Sequence, residues 1–183
     1  MLLYINACVR GEGSRTDALA KKLLAKLGDY TEVCLEQERI PPLDAHSLAK
    51  RDALIASGDR EDPMLRYALQ FARADTIVIA APYWDLGFPA CLKAYLENIY
   101  VTGITSQYSP EGIPVGLCRA GELYYVTTAG GPYMPQFSYE YIRALATGAF
   151  GIPRTTLIKA EMLDIVGSDP LEILSRAAEE YGL

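Results

Sequence analysis

The chain has 183 residues, 50% hydrophobic and 22% charged, which suits one globular domain over residues 1–183 and excludes a disordered chain. Its net charge of −6, with no run of Lys and Arg, leaves no basic face for nucleic acid. The opening MLLYINA enters a strand with no basic flank, and no apolar run approaches the ~20 residues of a membrane helix. The sequence thus implies a cytoplasmic protein with no signal peptide and no membrane span.

LLYINA (2–7) is short and apolar, as a parallel strand buried on both faces would be. SRTDALAKKLLAKLG (14–28) carries Leu19, Leu23, Leu24 and Leu27 on one helical stripe, with Gly28 as a stop. TEVCLE (31–36) reads as a second strand. Residues 37–62 are mixed, with a turn at IPPLD and a short helix near 46–57. DPMLRYALQFARA (62–74) is a helix capped by Asp62, with Pro63 at its first position. DTIVIAAP (75–82) is the third strand. Helix 88–101 then places Phe88, Cys91, Leu92, Tyr95, Leu96 and Ile99 on one face. Residues 102–119 read as a long loop, and ELYYVTTA (122–129) as the fourth strand. A GGPY turn and a helix over 136–150 follow. TTLIKAEMLDIV (155–166) contains the fifth strand, and PLEILSRAAEEYG (170–182) is the closing helix.

Strands alternating with helices imply an α/β three-layer sandwich around a five-stranded parallel sheet, and a chain this short fits the flavodoxin-like order 2-1-3-4-5. Ligands of such sheets bind outside the carboxyl ends of the strands, beside strand 1. The turns after strands 1, 3 and 4 therefore matter most.

In the first, NACVRGEGSRT (6–16), Ser14 is placed to cap a helix with Arg15 and Thr16 in its first turn. Free N–H groups, the helix dipole, two hydroxyls and a guanidinium suit a phosphate, and a plain N-cap is the alternative. GEG without a third glycine is no dinucleotide fingerprint, and no Walker lysine is present. In the second, PYWDLG, Tyr83 and Trp84 offer flat faces for a planar ring, unless Trp84 covers the core and Asp85 caps the next helix. In the third, TTAGGPY (127–133), paired glycines suggest positive φ or a close backbone approach, or else an ordinary tight turn. The four cysteines form no CxxC, and the lone His46 is remote from them, so free thiols are expected and no metal site.

Taken together, the three turns resemble those of the FMN-dependent NADH:quinone oxidoreductases, including azoreductases, within the flavodoxin-like quinone reductases. The match is densest over residues 81–108, at Ala81, Pro82, Gly87, Pro89, Leu92, Lys93, Tyr95, Gly103, Thr105 and Tyr108. The resemblance implies FMN across the strand ends, with its phosphate at Ser14, Arg15 and Thr16 and with Cys8 where the family has a hydroxyl residue. It places the ring against Pro82, Tyr83, Trp84, Asp85 and Leu86, and the pyrimidine edge by Thr128, Ala129, Gly130 and Gly131. Tyr108 and Tyr133 are candidates for the acceptor pocket, with a surface or interface role as the alternative. Asp85 and Ala129 depart from the family pattern, and Asp85 would lower the flavin potential.

The implied chemistry is hydride transfer from NADH or NADPH to the flavin, then two-electron reduction of a quinone, azo compound or other flat small molecule, with ping-pong kinetics. The resemblance also implies a homodimer whose site is lined by both subunits. Two other readings stand beside it: an FMN-holding electron carrier, and a non-flavin binding protein on the same fold.

Overall fold

In the computed structural model, covering residues 1–183, the chain alternates strands and helices in the expected sequence. β1 (Leu2–Asn6) leads through a single 3₁₀ turn at Gly11–Gly13 into α1 (Arg15–Leu27). The side chain of Ser14 caps α1, and Gly28 closes it. β2 (Tyr30–Cys34) ends earlier than the periodicity suggests, because Leu35 turns into the core as the start of a one-turn helix, α2 (Leu35–Glu38). α3 (Ala45–Ser57) has a reciprocal cap between Asp44 and Ser47 and a left-handed Gly58 at its end. Asp62 caps a 3₁₀ turn at Pro63–Leu65, and α4 (Arg66–Arg73) continues from it. β3 (Thr76–Ala80) and α5 (Ala90–Ile99) follow, each trimmed at the ends relative to the sequence reading.

The stretch 102–119, read from the sequence as a loop, contains an antiparallel hairpin of β4 (Ser106–Tyr108) and β5 (Pro114–Gly116). Its seat on the domain explains one glycine. A Cβ on Gly116 would lie 2.0 Å from the backbone nitrogen of Gly151, so only glycine lets the two backbones touch. β6 (Glu122–Thr128) returns to the main sheet. The helix expected over 136–150 is divided into a 3₁₀ turn at Pro135–Phe137, α6 (Tyr139–Ala144) and one π turn at Leu145–Ala149. β7 (Arg154–Ala160) and α7 (Pro170–Glu180) complete the chain.

The main sheet has five strands, all parallel, in the order β2-β1-β3-β6-β7. With the hairpin set aside, this is the 2-1-3-4-5 order expected from the sequence. Alternate residues of the strands face opposite layers. Leu3, Ile5, Ile77 and Ile79 join residues of α4, α5 and α6 in one core. Tyr4, Val78, Val126 and Ile158 join residues of α1 and α7 in the other. Two buried faces are why these strands read as continuous apolar runs. The order places the exits of β1, β3 and β6 side by side, which is what assembles a cleft.

Candidate functional site

A cleft of about 260 Å³ opens at the carboxyl ends of β1, β3 and β6. The β1–α1 segment supplies Cys8, Val9, Arg10, Gly13, Ser14, Arg15 and Thr16 to its wall. Ser14 Oγ accepts from the N–H of Asp17 at 3.2 Å, as an N-cap does, and its hydroxyl lies within hydrogen-bonding reach of the Cys8 sulfur. The N–H groups of Arg15 and Thr16 find no backbone acceptor, as the start of a helix requires. The Thr16 and Thr128 hydroxyls lie 2.6 Å apart, tying the first turn of α1 to the end of β6. One bond between two hydroxyls consumes one proton and leaves the other to donate elsewhere.

Arg15 is already engaged. Its guanidinium donates to Asp164 Oδ1 at 2.8 Å and to the carbonyl of Leu163 at 3.3 Å. Cys8 is buried, and burial pushes its thiol up to about 12, so it stays protonated and serves as a small neutral wall.

The turn after β3 contributes Pro82, Tyr83 and Trp84 to the lining. Gly87 N–H donates to the Trp84 carbonyl at 2.7 Å, closing a tight turn over Asp85 and Leu86. Both central residues are left-handed, Asp85 at φ 50° and Leu86 at φ 66°. Asp tolerates that conformation, whereas a leucine there is strained by roughly 1–2 kcal/mol. Trp84 is 39% exposed and Leu86 48%, so neither covers the core. Asp85 caps nothing: α5 starts from Pro89 without a side-chain cap. Trp84 and Gly87 form an antiparallel bridge, and the N–H groups of Asp85 and Leu86 find no backbone acceptor. Tyr83 stands edge-on to Tyr133, with ring centroids 4.9 Å apart, and its buried hydroxyl has no protein partner.

The turn after β6 contributes Thr128, Ala129 and Gly130. Its glycines are not left-handed. The close approach is real at Gly130, where a Cβ would sit 2.2 Å from Asp164 Oδ2. The loop after β7 binds back onto this turn: Met162, Leu163 and Asp164 donate their N–H groups to the carbonyls of Gly131, Ala129 and Gly130. The N–H groups of Gly130 and Gly131 find no backbone acceptor.

Of the residues singled out by sequence, Cys8, Ser14, Arg15, Thr16, Pro82, Tyr83, Trp84, Thr128, Ala129 and Gly130 line this one cleft. Asp85 and Gly131 adjoin lining residues and Leu86 follows Asp85, but none of the three lines the cleft. Tyr133 is buried behind Tyr83, its hydroxyl 2.8 Å from that of Ser138. Tyr108 lies on β4, 58% exposed and away from the cleft lining. Sequence reasoning passed over Val9, Arg10, Gly13, Leu163 and Asp164. The last two could have been sought on the rule that every loop at the carboxyl edge is a candidate.

Comparison with known proteins agrees with this geometry. A family model described as flavodoxin-like fold matches residues 1–182. The FMN-dependent NADH:quinone oxidoreductase 2 of Clostridium acetobutylicum is 44% identical over 192 residues, covering 98% of this chain and 94% of that protein. The FMN-dependent NADH:quinone oxidoreductase of Clostridium beijerinckii is 43% identical over 194 residues, with the same 98% and 94% coverage. Among solved structures, an FMN-dependent NADH-azoreductase of Bacillus anthracis in complex with FMN superposes with a TM-score of 0.83 at 25% identity, covering 98% of this chain and 94% of that one. The chain therefore belongs to the flavodoxin-like family that includes the FMN-dependent NADH:quinone oxidoreductases.

Proposed function

We infer that this protein is an FMN-dependent NAD(P)H oxidoreductase that reduces quinones, azo compounds or similar flat acceptors by two-electron transfer. The relatives named above carry those activities in their names. The observation that carries the reading to this chain is the meeting at one cleft of unclaimed backbone N–H groups at Arg15, Thr16 and Gly130 with the flat side chains of Tyr83 and Trp84.

The residues present fit FMN. The first turn of α1 offers two N–H groups, the positive end of the helix dipole and the hydroxyls of Ser14 and of the Thr16–Thr128 pair to a phosphate. Tyr83 and Trp84 offer flat apolar faces to the ring, and the N–H groups on either side suit its carbonyl and nitrogen acceptors. Bound there, FMN supplies hydride acceptance and release. The chain's own part is to hold, orient and shield. Its cleft wall contains no His, Lys or Glu, and burial keeps the Cys8 thiol protonated, so Cys8 serves as a neutral wall.

A homodimer is part of this reading. Trp84, Leu86, Met134 and Phe137 leave an exposed apolar rim in the turns after β3 and β6, and Tyr108 and Ile113 are exposed on the hairpin. Tyr108, outside the cleft of its own chain, would serve the cleft of a second copy. Sedimentation at micromolar concentration tests this, with a dimer expected and a monomer against it. A cytoplasmic location is proposed as well, and fractionation of the source cell checks it.

The experiment for the function is an absorbance titration. Flavin bands on mixing with FMN, bleached by NADH or NADPH under nitrogen and restored by a quinone, are the expected result. Failure to take up FMN overturns the reading, and bound flavin that ignores both nucleotides points to an electron carrier.

A further inference from the structure

Asn6 is the last residue of β1 and is buried, yet its side-chain amide is fully engaged. Its Oδ1 accepts from the N–H of Cys8 at 2.9 Å. Its Nδ2 donates to Glu32 Oε1 of β2 at 2.9 Å and to Asp17 Oδ1 of α1 at 3.3 Å. Asparagine is one of the few side chains able to accept from a backbone N–H and donate to two carboxylates at once. The result ties the first loop residues, the first turn of α1 and the neighbouring strand to one amide.

Asp17 explains what this accomplishes. It is the third residue of α1, the position from which an acidic side chain commonly turns toward the positive helix start, although here the Ser14 N–H it would meet already donates to the Gly11 carbonyl at 3.0 Å. Asp17 does not turn that way. Its carboxylate is buried and turned inward, accepting from the Tyr4 hydroxyl at 2.6 Å and from Asn6, and pairing with Lys21 Nζ at 2.7 Å. The N–H groups of Arg15 and Thr16, free as in any first helical turn, thus face no carboxylate from their own helix.

We propose that Asn6 is a positioning residue for the phosphate end of the cleft, acting with Tyr4 to hold the Asp17 carboxylate away from the α1 terminus so that a ligand phosphate can take its place. This rests on the reading of the cleft as an FMN site. When the inward donors are lost, the Asp17 carboxylate competes with the phosphate, both as an acceptor and as a like charge. Burying an amide among two carboxylates is a poor way to gain stability alone, since an apolar residue could fill the space without desolvating polar groups.

The test uses riboflavin, which lacks the phosphate, beside FMN. Fluorescence titrations of the apoprotein would compare the wild type with Asn6→Ala, Tyr4→Phe and the double variant Asn6→Ala/Asp17→Ala. The expected result is an FMN affinity lower by roughly tenfold in Asn6→Ala and roughly threefold in Tyr4→Phe, with riboflavin changed by less than about twofold. Removing the Asp17 carboxylate from the Asn6→Ala protein should return most of the FMN affinity. Equal losses for FMN and riboflavin, or no loss for FMN, overturn the proposal by making Asn6 a purely structural residue. Should Asn6→Ala fail to fold, Tyr4→Phe, which leaves the ring in place, decides by the same criterion. A wild type that binds the two flavins equally removes the phosphate site itself, and the proposal falls with it.

Discussion

The first turn of α1 and the turn Trp84–Gly87 border the same cleft and are held in contrary ways. The first turn is fixed from behind by buried polar bonds: Thr16 to Thr128, and Asp17 to Tyr4 and Asn6. Moving it would strand several buried polar groups, each at a cost of about 1–3 kcal/mol. The turn after β3 is closed by one hydrogen bond, Gly87 N–H to Trp84 carbonyl, and carries an exposed leucine in a left-handed conformation. A turn so held can adjust at small cost. The difference teaches that one end of the cleft is an anchor built for a fixed chemical group, and the other a wall that can accommodate partners of different shape. That division suits a protein that keeps one cofactor and exchanges flat substrates.

The comparison can be broken most sharply at the anchor. Ser14→Ala combined with Thr16→Ala should weaken FMN binding roughly tenfold or more by removing donors from the phosphate end. Unchanged affinity in a fluorescence titration would place the phosphate elsewhere. The wall should respond more mildly. Asp85→Asn keeps a residue that tolerates the left-handed backbone and removes an exposed carboxylate, so the flavin potential should rise on the order of 10 mV in a spectroelectrochemical titration at low salt. An unchanged potential would mean that the Asp85 charge is not felt at the ring. Leu86→Gly should raise the stability of the apoprotein by roughly 0.5 kcal/mol in urea, the released strain exceeding the extra chain entropy of glycine. A clear loss of stability would show that Leu86 packs in a way its exposure does not suggest.

The smallest effect belongs to Cys8. Burial pushes its thiol up to about 12. At pH 8 only about one molecule in 10⁴ then carries the thiolate, so iodoacetamide should leave Cys8 unmodified in the folded protein by peptide mass mapping. Rapid labelling would show that the anchor opens far more often than its bonds imply.

The two regions also differ in how far the sequence disclosed them. The α1 terminus announces itself locally. Ser14 before an apolar stripe marks the cap, and the short apolar strand before it marks a parallel sheet, so the site could be placed at the strand ends before any coordinates. The same local logic located Asp62 and Pro63 at the start of a helical segment, while for the glycine pair it left positive φ, a close approach and a plain turn all open. It failed where a short element carries no periodic pattern of its own. The β4–β5 hairpin lies in a segment with no alternating pattern, and its seat depends on Gly116 meeting Gly151. The 136–150 segment is divided into a 3₁₀ turn, α6 and a π turn, a division that an apolar stripe does not report.

By itself the sequence determined the order of strands and helices, the parallel sheet and the three turns that matter, because periodicity, caps and glycines act over a few residues. Only the tertiary structure decided which polar groups meet. It gave Arg15 to Asp164, turned Asp17 inward to Asn6 and Tyr4, set Tyr133 behind Tyr83, and carried Tyr108 away from the cleft of its own chain. Those partnerships join residues up to 149 positions apart, and a hydrogen bond has no signature in either residue until the fold has brought both ends together.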